Sequence, residues 1–162
     1  MTPSANIAAG DRLVVLVGVW NNGRPTASSV TDTAGNAYTE VLHFVASDGT
    51  ELSVWTAPIT AGAGTRPAIT ATPTRTADLG ISVMEYSGLS TAAGSAAVDQ
   101  SARATGTTNT AATVASGATP ATAAAGELAI GFYVDSGFGD TLTPAPASPP
   151  GPTSPRPPTS SS

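Results

Sequence analysis

The sequence predicts an all-β fold, and three observations predict it. Apolar residues gather in short, dense runs rich in Val and Ile. Turn residues punctuate the chain at intervals of roughly ten, and no segment repeats its apolar residues at a helical spacing. The expected architecture is an antiparallel β-sandwich, jelly-roll or Ig-like, over residues 1–143. A Pro-rich linker over 144–162 is expected to be disordered.

The elements follow in order. Residues 13–20 (LVVLVGVW) are β-branched and apolar on both faces, which predicts a buried central strand. Residues 29–33 lead into Asp32-Thr-Ala-Gly35-Asn36, a turn with Gly and Asn where positive φ is needed, and 38–46 return; that pair reads as a hairpin. Asp48-Gly49 makes the next turn, after which 51–57 (ELSVWTA) alternate. Residues 68–74 alternate Ile and Thr with Ala, and 79–86 (LGISVMEY) and 127–134 (ELAIGFYV) are two further dense strands. The Ala-rich stretch 111–125 is interrupted by Thr, Ser, Gly and Pro120 and reads as strand and loop. From Pro144 onward eight prolines in nineteen residues predict an extended spacer, of the kind that connects to a further domain.

Composition narrows the function. Leu, Ile, Val and Phe supply only 28 of 162 residues, so the core is sparse and padded by Ala and Thr. Six arginines and no lysine stand against eleven acids, for a net charge of −5; no basic stripe exists to neutralise phosphates, which argues against a nucleic-acid partner. The longest apolar run has eight residues and cannot cross a bilayer, so no membrane partner is expected. Without cysteine there is no thiolate chemistry and no disulfide framework, and the single histidine cannot build a multi-His metal centre. No basic and apolar leader follows Met1, as expected of a start codon placed on a trimmed fragment; the Thr/Ser/Ala-rich surface, the missing Lys and the Pro-rich tail together suggest a secreted, extracellular bacterial protein cut from a larger chain.

Aromatic residues are the first candidates for binding. Period-2 alternation sends Leu52, Val54 and Thr56 inward and leaves Ser53, Trp55 and Ala57 outward, so Trp55 would stand as a flat platform for a sugar ring. The alternative is that Trp55 packs between two sheets as ordinary core. Trp20 ends the first strand and enters Asn21-Asn22-Gly23-Arg24, combining a stacking group with hydrogen-bonding ones; it serves equally as a core cap. Tyr133 is placed on the outward face of its strand, and Phe138 lies in the Gly-rich loop 135–140 as a binding finger or a plug.

Carboxylates were weighed for glycosidase chemistry, which needs two of them about 5–10 Å apart across a cleft. Glu85 continues the inward series Leu79, Ile81, Val83 and is the one candidate general acid, although an acid near a strand end more often accepts backbone hydrogen bonds. His43 has no Ser and Asp partners that spacing can place beside it, and reads as a surface or half-buried strand histidine. Asp135 and Asp140 lack the acidic density of a calcium loop, so no metal site and no cofactor are expected.

The stretches AAGDRLVVLVGVW (8–20), VTDTAGNAYTEV (30–41), SVWTAPITAGAGT (53–65), ISVMEYSGL (81–89) and AAAGELAIGFY (123–133) resemble a β-sandwich carbohydrate-binding module of secreted multidomain bacterial proteins, similar to carbohydrate-binding module family 81. The resemblance covers residues 8–143 and lies in turns and core. It implies a module that sits beside a glycoside hydrolase and holds it on plant cell-wall β-glucans. Such modules carry further strands after GELAIGFY, whereas here the spacer begins ten residues past Val134. Either the sandwich is compact, or a sheet edge stays open and allows self-association.

The expectation is therefore a non-catalytic glycan binder using Trp20, Trp55, Asn21, Asn22, Arg24, Tyr133 and Phe138, tethered to a catalytic domain. Two rivals stand beside it: a structural or adhesive spacer, and a small polysaccharide hydrolase using Glu85.

Overall fold

The computed structural model describes residues 1–106 and 113–135. Among these the chain is all-β, with no α-helix and six strands: β1 (Arg12–Trp20), β2 (Ala27–Asp32), β3 (Thr39–Val45), β4 (Glu51–Pro58), β5 (Ile69–Pro73) and β6 (Asp78–Tyr86). They form two antiparallel sheets, one ordered β3-β4-β1-β6 and the other a β2-β5 pair. Phe138, Asp140 and the Pro-rich stretch from 144 lie outside the described residues.

β1 is central because it is apolar on both faces. It pairs with β4 on one side (Val15 opposite Trp55) and with β6 on the other (Val15 opposite Val83). Its inner residues Leu13, Val15, Val17 and Val19 share one core with Ala27 and Val30 of β2, Ile69 of β5, Trp55 of β4, and Ile7 and Ile59 from the flanking loops. Residues from both sheets thus exclude water together, and burial of these side chains is the main source of stability in a chain without disulfides.

The turns explain the connections. Gly49 adopts φ 92° in the expected turn between β3 and β4, and Asp48 accepts hydrogen bonds from the N–H and hydroxyl of Thr50 at 2.9 and 3.0 Å; the two strands pair across it as a hairpin.

The expected hairpin between β2 and β3 does not form, because β2 pairs with β5 and β3 with β4. The DTAGN turn instead carries the chain from one sheet to the other. Asp32 Oδ1 accepts the N–H groups of Ala34, Gly35 and Asn36 at 2.9, 2.6 and 3.1 Å. Only Gly35 needs positive φ there; Asn36 is buried and uses its side-chain carbonyl to accept the N–H groups of Thr60 and Ala61, both at 2.9 Å. Such a turn ties the β2–β3 and β4–β5 connections together, which a two-strand hairpin has no use for.

Two further expectations are corrected beyond β6. Residues 127–134 are not a strand, and 113–125 are irregular as well. Leu128 and Ile130 are 43% and 40% exposed, so the strand-like pattern of 127–134 finds no partner edge among the described residues. Pattern alone does not make a strand; a strand needs a neighbour to satisfy its backbone.

The outer face of the four-stranded sheet is covered by residues from 88–106 and 113–135, which have little regular structure. Arg12, only 3% exposed, anchors this cover: its guanidinium donates to the carbonyls of Ser90 and Ala92 and to Thr56 Oγ1 at 3.0 Å. Arg103 donates to the carbonyl of His43 and lies 5.5 Å from the centre of the Phe44 ring. No helix among the described residues is long and apolar enough to cross a membrane.

Candidate functional site

Gly18 of β1 and Gly80 of β6 stand directly opposite each other on the outer face. Two missing side chains leave a trough there, bounded along β1 by Leu16 and Trp20 and along β6 by Ser82 and Asp78. Val134 lies over it: a Cβ built on Gly18 would come within 3.1 Å of a Val134 methyl, so glycine is what lets the cover approach. The remaining space is a cavity of about 450 Å³ whose lining includes Trp20, Thr50, Asp78, Ser82, Tyr133 and Asp135. Tyr133 is 38% exposed and Trp20 half-buried, so aromatic surface meets hydroxyls and carboxylates in a solvent-accessible setting. A lining of this kind offers aromatic faces to apolar groups and oxygens as hydrogen-bond partners.

A second, larger space of about 1480 Å³ lies between the outer faces of β1, β3 and β4 and the irregular cover, lined by Leu16, Phe44, Leu52, Val54, Leu128 and Ile130 among others. Its lining also includes Arg12, Asp99, Arg103 and Glu127, and it shares Phe132 to Asp135 with the trough.

The other expected contacts are distributed differently. Trp55 is corrected: it is 9% exposed, belongs to the core, and donates its indole N–H to Ser53 Oγ at 3.0 Å. β4 faces opposite to the expected sense, with Glu51, Ser53, Trp55 and Ala57 between the sheets and Leu52 and Val54 toward the cover. Leu52 and Val54 were assigned inward because they are apolar; both faces of this sheet are covered, so apolarity does not choose between them.

Asn21 and Arg24 act within loops. The Asn21 amide donates to the Thr76 carbonyl at 3.1 Å, and the Arg24 guanidinium donates to the Ser47 carbonyl, while Arg24 itself holds φ 50°. Neither lines the trough, and nor does exposed Asn22. Glu85 is half-buried on the inner face, as its series predicts, and accepts the Ala8 N–H at 2.7 Å, the backbone role weighed for it.

Sequence reasoning missed a polar cluster on the inner face at the β3 edge. His43 Nδ1 lies 2.8 Å from Glu40 Oε1 and 3.6 Å from Glu51 Oε1. Residues 40 and 43 of a regular strand point to opposite faces. Here the register shifts between Glu40 and Leu42, so Glu40 sits opposite Trp55 and His43 opposite Ser53, both on the inner face. Glu51 is fully buried; its Oε2 accepts the Ala27 N–H at 2.7 Å, while no hydrogen bond reaches its Oε1. Burial, helped by the Glu40 charge, pushes the Glu51 carboxyl above its ordinary range, against the pull of the Ala27 N–H, the nearby imidazole and the Ser53 hydroxyl. The signal that was available was Glu51 itself, two and four residues before Ser53 and Trp55 on the same face.

No protein-family model matches the chain, no curated protein matches it, and no solved structure matches it.

Proposed function

We propose that the chain is a β-sandwich carbohydrate-binding module, without catalytic activity of its own, that recognises plant cell-wall β-glucans and targets an attached glycoside hydrolase in a secreted protein. Two antiparallel sheets sharing one core support the sandwich. The observation that carries the functional reading is the trough over Gly18 and Gly80, where Trp20 and Tyr133 share a lining with Thr50, Ser82, Asp78 and Asp135. Trp20 and Tyr133 stack on glucosyl rings, and the hydroxyls and carboxylates take the sugar hydroxyls. Trp55 drops out of the binding set, and Asn21 and Arg24 shape the loop beside it. Contacts of this number and kind sum to micromolar-to-millimolar affinity.

The test is native affinity electrophoresis in mixed-linkage β-glucan, xyloglucan, xylan and mannan. Wild type should be retarded in a glucan gel, and Trp20→Ala and Tyr133→Ala should each migrate as in a gel without polysaccharide, with unchanged circular dichroism. Equal migration of the wild type in every gel sinks the reading. A second reading, an adhesive spacer, is favoured by one observation: β3 and β6 both end the four-stranded sheet without a strand partner among the described residues. It predicts concentration-dependent self-association in light scattering and no glycan retardation.

A further inference from the structure

We propose that Glu40, His43 and Glu51 form a binding site for one first-row divalent transition-metal ion, zinc being the probe of choice, at the β3 edge of the inter-sheet space.

Three observations carry this. One carboxylate oxygen from each glutamate and one imidazole nitrogen lie within 4.8 Å of one another, on two neighbouring strands. The two contacts made by His43 Nδ1, 2.8 and 3.6 Å, bracket the ~3.3 Å ligand–ligand separation of a tetrahedron with bonds of about 2.0–2.1 Å. And Glu51, with 0% exposure, aims an oxygen into the cluster that has no hydrogen-bond partner. A buried carboxylate oxygen left unsatisfied is costly, and a cation on that side would satisfy it.

The donor set selects the ion. One imidazole nitrogen with two carboxylate oxygens suits zinc and its first-row neighbours, whereas calcium and magnesium ask for six or more oxygens, several of which would have to be water here. Three protein ligands leave a fourth position, and since Glu40 and His43 are half-buried rather than sealed, water reaches it.

The ion would do mechanical work in the fold. It would cross-link β3 to β4, and through the Glu51 bond to the Ala27 N–H it would couple both to β2 in the other sheet. A chain with no disulfide and a sparse core has use for such a staple.

The experiment is calorimetric titration of chelator-treated full-length protein with zinc chloride, beside thermal melting with and without zinc. Wild type should bind one zinc per chain and melt several degrees higher with the metal. His43→Ala should lose at least roughly tenfold in affinity. Glu51→Gln separates a ligand role from a folding role: it keeps an oxygen for the Ala27 N–H and removes the buried carboxylate. It should therefore melt at or above wild type without zinc and show no rise with it. Cobalt in place of zinc should give visible absorption bands of a low-coordinate site in the wild type alone. No saturable zinc binding by the wild type overturns the proposal, as does one-to-one binding that both variants retain at full strength. The glycan gels do not depend on this site, so the two proposals fail separately.

Discussion

On its inner face the four-stranded sheet meets the β2–β5 pair, and Leu13, Val15 and Val17 are wholly buried there. On its outer face it meets irregular chain, and the space left amounts to cavities of about 450 and 1480 Å³. The inner face of β1 is Leu13, Val15, Val17 and Val19, whereas its outer face sets Val14 and Leu16 beside Arg12 and Gly18, so the difference comes partly from these residues and partly from what covers them. Paired strands present alternate side chains at fixed spacing and interdigitate to the density of a solid. Irregular chain must keep its unpaired backbone groups hydrated, and packs loosely. The inner face therefore holds the molecule together, and the outer face has room for a ligand.

The sharpest way to break this comparison is Trp55→Ala. It should cost about 3–5 kcal/mol in urea unfolding, since a large side chain leaves a cavity among β-branched neighbours. A loss below about 1 kcal/mol would mean that the inner packing is not what joins the sheets. Leu13→Ala against Leu16→Ala sharpens it further. The inner change should cost about 2–5 kcal/mol, and the outer one less, because Leu16 borders both cavities and its loss adds to space already there. Equal losses would erase the distinction between the faces.

Acid provides an independent probe, because Asp32 lies outside both faces, at the turn between the sheets. Burial alone would raise its pKa. The Asn36 side chain and N–H, the Tyr38 hydroxyl and the Gly35 N–H overcome that and hold it below the ordinary carboxylate value. Tyr38 is pushed the other way, by burial first and by the Asp32 charge second. A depressed folded-state pKa means stability that is fully present above the unfolded value, near 3.9, and lost as pH falls through the folded one. Asp32→Asn should flatten that acid limb of a stability–pH curve and leave the cavities unchanged. An unaltered limb would show that the turn contributes nothing through its charge.

The smallest expected effect is Gly18→Ala. The added methyl needs Val134 to give by a few tenths of an ångström, which should cost below about 1 kcal/mol in thermal melting. It should weaken glucan retardation more visibly than stability, because it narrows the trough. A large loss of stability would show that the outer cover is as rigid as the core.

What the sequence determined by itself was local. The all-β class, β1 as the buried centre, the Asp48-Gly49 turn and the inward series of β6 follow from period-2 apolar runs and from turn residues, whose conformations depend on near neighbours. Trp20 was legible as an aromatic at a strand end, in a chain with few aromatics, and Tyr133 only as an outward residue of a strand that does not form. Only the tertiary structure decided which face of β4 looks inward, that β2 leaves β3 for β5, and that 127–134 runs without a strand partner. Each of these depends on a partner distant in the chain, and alternation is blind to which of two covered faces is which. The Glu40, His43 and Glu51 cluster was hidden for the same reason: a single register shift in β3, which no periodic reading registers, turns residues 40 and 43 onto one face and brings them to a carboxylate from the next strand.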